Sequence, residues 1–434
     1  MKLFRKSSET PEGAAVFSPV YTAVCLFAVT LLTVVFASLS VLSVKPVADV
    51  APWQEQFVPF FFYVFGFPLL LVGMHLCNWK GDPGLFGSVA LISGIGLAVQ
   101  YRMGSFAAGI AKPAALIAFP CGLAAFAVGF LLTAKGRVAK LAFLGWPAYA
   151  LAVGGLSVML LMGRKFRGGM YLPGNMNPTE IVKPLLVWFL AFYLAKRGKA
   201  FAETQVGIPA PPLRTLAALA AFWSVPILAS ILLHDLGLTA LLNAVLIIML
   251  FAVTRKGGYL VLGVGAVVVA GYAVQLLSAH ARARFDVWLH PFRDPTGKGW
   301  QVLQALSAMF SGGLWGAGLG SGLPEAVPIV TSDFVYAAMA EELGIVGCAC
   351  VLIAYLVLFS RGFKAAGALP SPFEQLLCAG LTASLAVQTL LNIAGVTKAL
   401  PMTGITLPFI SHGGSSLITS LWIAGMLVGF SDRR

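Results

Sequence analysis

From Phe17 to Val44 no charged residue interrupts the chain, and comparable apolar runs recur almost to its end. A run of roughly 18 or more apolar residues is long enough to cross a bilayer as a helix. About twelve such runs can be marked, starting near Phe17, Phe57, Leu85, Ile110, Leu141, Thr179, Leu213, Leu236, Tyr259, Asp333, Phe373 and Gly414. With 59% hydrophobic residues, 10% charged residues and a mean hydropathy of +0.89, the chain lies far from soluble domains, which carry about 25% charge. A transmembrane barrel would show short alternating strands instead. The sequence therefore predicts an all-α, polytopic helical membrane protein of about twelve spans, with a long outer loop between the ninth and tenth. The first run is too long for a signal-peptide core and follows Lys2, Arg5 and Lys6, so it reads as a retained helix entered from the cytoplasm. A short connection at His234–Asp235 reads equally as a turn or as a break in one long apolar stretch.

Alternating the connections from an inner N-terminus puts Lys80, Lys135, Arg137, Lys140, Lys196, Arg197, Lys199, Arg255, Lys256, Arg361, Lys364 and both terminal segments on one side. Short cytoplasmic loops are rich in Lys and Arg, so both termini are expected inside. Cations left on the outer side, among them Arg102, Arg164, Arg167, Arg284 and Lys398, run against that bias and suggest a demand for anion binding. The net charge of +13 fits anionic lipid or pyrophosphate partners. No basic block interleaved with aromatics points to nucleic acid. The six cysteines lie in or beside apolar spans without metal-ligand or disulfide spacing, and no Walker loop or H-E-x-x-H occurs.

Scarce charge is concentrated between Arg284 and Glu342, where Asp286, Asp294, Glu325, Asp333, Glu341 and Glu342 stand among Arg284, Arg293 and Lys298. Ionisable residues are costly near a membrane and mark function. Here the chain resembles a known family. Arg284, Trp288, Pro291, Asp294-Pro295, Gly297, Gly299 and Gln301 are similar to the long-loop pattern of the SEDS proteins, the FtsW, RodA and SpoVE group. Other segments follow in order: Gly94 to Tyr101-Arg102; Asn177-Pro178-Thr179-Glu180 with Lys183; Asp235-Leu236-Gly237 with Thr239-Ala240; Gly318-Leu319-Gly320; Ser332-Asp333-Phe334; Glu341-Glu342-Leu343-Gly344; then Asn392, Lys398, Pro401, Thr403-Gly404 and Leu407 to Ser416. His412 stands where the family usually has tyrosine. Leu323-Pro324-Glu325 looks like a division-type motif but lies too far from Ser332-Asp333, so Glu325 inherits no role. The resemblance spans residues 85–434, with the large extracellular loop at 279–332. Residues 1–84 add two N-terminal helices and a cytoplasmic start.

The resemblance implies a peptidoglycan glycosyltransferase in a bacterial cytoplasmic membrane, polymerising lipid II for division or elongation beside a class B penicillin-binding protein. It makes Asp294 the catalytic base; the plain alternative is that Asp-Pro merely opens a turn. Arg102, Arg167, Glu180, Lys183, Asp235, Arg284, Lys398 and Ser415 are the candidate substrate-binding residues. For Glu180 a helix start is the competing account, for Asp235 a helix cap, and for the arginines snorkelling to headgroups. Glu341 and Glu342 read as structural or gating, at least one paired with a buried base or kept protonated. No cofactor is required, although a divalent cation could enter with the substrate pyrophosphate. A flippase for the same lipid-linked precursor would use the same polar cavity without a base; a scaffold would leave the outer charges idle.

Overall fold

The computed structural model describes residues 19–44, 56–106, 113–166, 169–172, 177–205, 208–209 and 211–432. Helices fall on all twelve apolar runs: α1 (Pro19–Val44), α2 (Val58–Leu76), α3 (Pro83–Arg102), α4 (Pro113–Thr133), α5 (Gly145–Met162), α6 (Thr179–Phe201), α7 (Leu213–Leu232), α8 (Leu236–Thr254), α9 (Gly258–Leu277), α12 (Val335–Ala368), α13 (Pro372–Val396) and α14 (Gly414–Phe430). Two more, α10 (Ala279–Leu289) and α11 (Trp300–Gly312), lie in the long loop. The only strands among the described residues are two small antiparallel pairs, Arg164–Phe166 with Gly169–Tyr171 and Thr204–Gln205 with Ile208–Pro209.

Helices dominate because a backbone in lipid must satisfy its own polar groups. Eight helical stretches among the described residues are long and apolar enough to cross a membrane, and one of them, Pro113–Met162, holds both α4 and α5. Within it Lys135 and Gly136 take left-handed φ, reversing the chain through the 3-10 segment Ala134–Leu144 before α5 begins, four residues later than the apolar run suggested. Likewise His234, at φ 60°, separates α7 from α8 as a true turn.

The bundle is built around α3 and α13, the most deeply buried spans, whereas α9 runs along the periphery with 6% of its span covered. Small residues let helices approach closely: a Cβ at Gly425 of α14 would collide with the Phe126 carbonyl of α4, and one at Gly129 with that of Trp422. The first two helices are seated by aromatics. Phe67 stacks on Phe27 at 5.8 Å and meets Phe86 edge-on at 5.5 Å, while Tyr63 donates to the Ala90 carbonyl at 3.0 Å. At the opposite end from the long loop, Trp79 Nε1 donates to Val428 O at 3.1 Å and the Lys80 amide to Asp432 Oδ1 at 2.8 Å.

The long loop is folded, with a small core of its own formed by Ala305, Ala308, Val327, Phe334, Ala337 and Val396. Its glycine-rich part is woven into α12. That helix breaks at Gly344 (φ 66°, ψ −173°), and the break frees backbone groups that pair like strands. Ala317 N donates to Glu341 O at 2.8 Å, and Ile345 N to Gly313 O at 3.0 Å. A side chain at 344 would be strained and would meet the Leu314 carbonyl and the Gly316 amide. Gly344→Ala should therefore lower the thermal unfolding midpoint, the strained backbone alone costing about 1–3 kcal/mol. Gly154→Ala, in the middle of α5 with nothing within 4 Å, should be neutral or stabilising by about 0.5–1 kcal/mol. Equal midpoints for the two variants would contradict this account of the break.

Candidate active site

At the end of the bundle that carries the long loop, three chain segments are tied together by side-chain amides and hydroxyls. Gln100, in the last turn of α3, donates through Nε2 to Ile410 O at 2.7 Å and to Thr331 O at 3.0 Å. Ser411 Oγ donates to Ser332 O at 2.6 Å and accepts from Leu407 N at 2.8 Å. Asn392 of α13 reaches both Asp333 O (3.0 Å) and Ile405 O (2.7 Å). The 401–413 segment thus folds inward between α3, α8 and α13. A Cβ at Gly96 would strike Phe409 O, and one at Gly237 would lie 3.0 Å from Thr403 O. Ile329, Lys398 and Phe409, like His234, have left-handed backbones, a strain that persists where surrounding contacts over-determine it.

Beneath this lid a charged network enters the bundle. Glu180 and Lys183, one turn apart on α6, pair at 2.8 Å and are both buried. Lys183 Nζ also donates to Gln388 Oε1 at 3.2 Å; Gln388 Nε2 donates to Thr406 O at 3.1 Å; and Thr406 and Ser416 share a hydroxyl contact at 2.8 Å. Asp235 caps α8, its Oδ1 accepting from Leu238 N at 2.8 Å. Arg284, on α10, donates to Thr403 O at 2.8 Å and Met402 O at 3.2 Å, and Trp288 one turn on fixes the same helix to Lys398 O at 3.0 Å.

Asp235, Arg284 and Asp333 act on one another electrostatically. Burial raises the Asp235 carboxyl above the ordinary range, against the pull of the Leu238 amide and Lys183. Burial raises Asp333 as well, opposed by Ser332 and Arg284. The Arg284 guanidinium is lowered by burial and held up by the two aspartates. Carboxyls shifted toward neutrality beside cations make a site that can grip an anion and exchange protons. Asn392 Oδ1 and Thr403 Oγ1 are buried there without a hydrogen-bond partner, so hydrogen-bonding capacity remains for a ligand. Among the described residues no three His, Cys, Asp or Glu side chains form a metal-holding group.

Asp294 stands apart from this cluster. It is exposed in the turn between α10 and α11, its Oδ2 accepting from Lys298 N at 3.0 Å and its carbonyl from Gly299 N at 2.9 Å. A Cβ at Gly297 would collide with its carboxylate, so glycine there keeps the acid uncovered. The turn is real, but it presents the acid outward instead of consuming it.

Residues 85–434 match the family of cell cycle proteins comprising FtsW, RodA and SpoVE. The chain belongs to this family. It is 34% identical over 408 residues to the peptidoglycan glycosyltransferase RodA of Mycobacterium tuberculosis strain H37Rv, covering 87% of this chain and 85% of that one. That alignment extends into the segment before Leu85, beyond the family match. A probable peptidoglycan glycosyltransferase FtsW of a Geobacter species is 35% identical over 266 residues, covering 60% of this chain and 70% of the relative. Among solved structures, a chain of a peptidoglycan synthase complex that coordinates polymerization and crosslinking superposes with a TM-score of 0.61 at 26% identity, covering 80% of this chain and 96% of that one. The rod shape determining protein RodA of Thermus thermophilus gives 0.57 at 26%, covering 81% and 97%.

Within this FtsW/RodA/SpoVE member the structure brings Glu180, Lys183, Asp235 and Arg284 together in the charged network and places the other candidates elsewhere. Arg102 is committed to protein partners: it is buried, with Nε on Glu342 at 2.7 Å, NH1 on Glu325 at 3.1 Å and NH2 on the Gly320 and Gly322 carbonyls. Its donors hold the glycine-rich loop to α3 and α12. Glu342 thereby has a buried base, one of the two outcomes expected for the glutamate pair, and the exposed Glu325 shares the same arginine. Ser416, not Ser415, joins the hydroxyl chain, and Lys398 enters through its backbone carbonyl. Arg167 lies outside the described residues. Sequence reasoning passed over Gln388 and left Asp333 off its candidates; Gln388 and Asn392, four apart in an otherwise apolar helix, share one face, which was the available signal.

Two measurements test this geometry. Lys183→Met alone leaves Glu180 buried without its partner and should cost about 3–5 kcal/mol of unfolding free energy, whereas Glu180→Gln with Lys183→Met should recover part of it; equal losses would show the pair is not coupled. Asp235→Asn keeps the cap but removes the titration. Because the native Asp235 and Asp333 carboxyls are raised, the folded state binds their protons more tightly. Wild-type thermal stability should therefore fall as pH rises from about 4, the ordinary aspartate range, through the raised native values. The Asp235→Asn slope should be shallower, with the Asp333 contribution retained. Parallel curves would refute a shifted Asp235.

Proposed function

We propose that this chain is a peptidoglycan glycosyltransferase that polymerises lipid II on the outer face of a bacterial cytoplasmic membrane. The observation that carries the reading is its 34% identity, across 87% of its length, with a RodA named for that activity. The charged network adds chemical sense. A lipid-linked donor leaves as undecaprenyl pyrophosphate, and the charge growing on that group needs cations. Lys183 and Arg284 supply them, held by Glu180, Asp235 and Asp333, and such stabilisation is commonly the largest contribution to catalysis. A divalent cation brought by the pyrophosphate would share that task.

In this reading Asp294 removes the proton from the 4-hydroxyl of the acceptor GlcNAc as its oxygen attacks the donor's anomeric carbon and the bond to pyrophosphate breaks. Its exposed turn lies in the same long loop as Arg284, which suits a base that must be open to the incoming acceptor. A class B penicillin-binding protein is the proposed partner, since the synthase complex similar to this chain joins polymerization to crosslinking. The flippase reading has less support: among the described spans, Asp, Glu, Lys and Arg stand only near the two ends, with no charged relay between them.

The test is polymerisation of fluorescent lipid II by the purified protein, with and without a partner transpeptidase inactivated at its own active site. Asp294→Asn should lower the glycan ladder about 10²–10⁴-fold, the usual contribution of a general base, with an unchanged melting curve. Undiminished ladders would remove Asp294 as the base. Lipid II translocation into liposomes without ladders from the wild type would replace the polymerase with the flippase.

A further inference from the structure

The other end of the bundle carries a different site. There the 3-10 segment Ala134–Leu144, the last turns of α6 and the start of α13 frame an open groove of about 400 Å³. That volume lies in the range of small-molecule sites, about 300–1,000 Å³. Phe143, Phe192 and Phe373 supply its aromatic walls, and Lys196 and Ser371 its polar groups. Phe143 is 67% exposed, and Trp146, packed edge-on against Phe192 at 6.4 Å, extends the apolar wall outward. Lys196 Nζ stands 4.2 Å above the Phe192 ring, a position that leaves its N–H groups free to donate sideways. Ser371 is the N-cap of α13, yet its side chain makes no cap hydrogen bond. Lys135 and Lys140 are exposed on the adjoining segment. The nearest acid, Glu374, is buried in the first turn of α13 and does not line the groove.

An ammonium and an uncommitted hydroxyl at the mouth, with an aromatic wall running away from them along the helices, suit one kind of molecule. It must be anionic at one end and apolar along the rest. A soluble anion would leave the aromatic wall unused, and a zwitterionic lipid would bring a second cation against Lys196. We propose that this groove holds one anionic phospholipid, its phosphodiester against Lys196 and Ser371 and its acyl chains over Phe143 and Trp146. Basic pockets between helices recognise anionic headgroups in this way. The proposal concerns the end of the bundle opposite Asp294 and does not depend on the reaction proposed there.

The experiment is native mass spectrometry of the delipidated full-length protein in detergent, titrated with phosphatidylglycerol or with phosphatidylethanolamine. One phosphatidylglycerol should be retained in preference to phosphatidylethanolamine. Lys196→Gln should weaken that retention about five-fold, the effect of one cation at a membrane surface, and Ser371→Ala should weaken it in the same direction. Lys364→Gln, an exposed lysine of α12 outside the groove, should leave it unchanged. Melting curves matching the wild type certify that each variant is folded. Equal retention by wild type and Lys196→Gln, equal loss with Lys364→Gln, or no preference between the two lipids would each overturn the proposal.

Discussion

A charge inside an apolar bundle must find a partner, because isolating it there costs several kcal/mol. Two pairs meet this demand at the loop-bearing end, and the architecture of that end follows from them. Arg102 with Glu342 ties the end of α3 to the first part of α12 and, through Gly320, Gly322 and Glu325, draws in the glycine-rich loop. Glu180 with Lys183 sets a cation one turn inside α6, where Gln388 can reach it. The first pair is saturated and builds the wall. The second shares its cation with neutral groups and opens onto Asp235, Arg284 and Asp333.

Fold class was legible because length and apolarity are local properties. All twelve runs became helices, since a long uncharged stretch has no other solution in lipid. What periodicity does not encode is where a helix stops being one. The break at Gly344 lies inside a run that reads as continuous, and only tertiary pairing with residues 313–318 accounts for it. The same limit applied to the arginines. Residue type marked Arg102 and Arg284 alike as candidate anion ligands; the carboxylates and carbonyls around each come from distant segments and are visible only in the fold. Asp294 was legible by its motif, and its local turn by its prolines and glycines, but its distance from the charged network required the fold.

The two ends of the bundle differ in chemistry as well as in charge. The loop-bearing end concentrates acids and pairs Arg102, Lys183 and Arg293 with them, so charge there is poised and directional. The opposite end carries exposed lysines and arginines with few acids, together with the latch of Trp79 and Lys80 to the C-terminal segment. Between them the helices pack through glycine and aromatic contacts. The first two helices join this packing, with Phe27, Tyr63 and Phe67 continuous with Phe86 and Phe119. They are part of the same solid body, not an appendage.

Gln100 donates from one amide nitrogen to carbonyls that belong to two different loops, at Thr331 and Ile410. A single planar group spanning two segments works as a rivet. Ser411 Oγ and His412 N add direct bonds between the loops, to Ser332 O and Thr331 O, so an outward swing of either loop breaks hydrogen bonds to the other. The two loops are thereby held as one unit by Gln100, Ser411 and the His412 amide, none of which needs to touch the substrate.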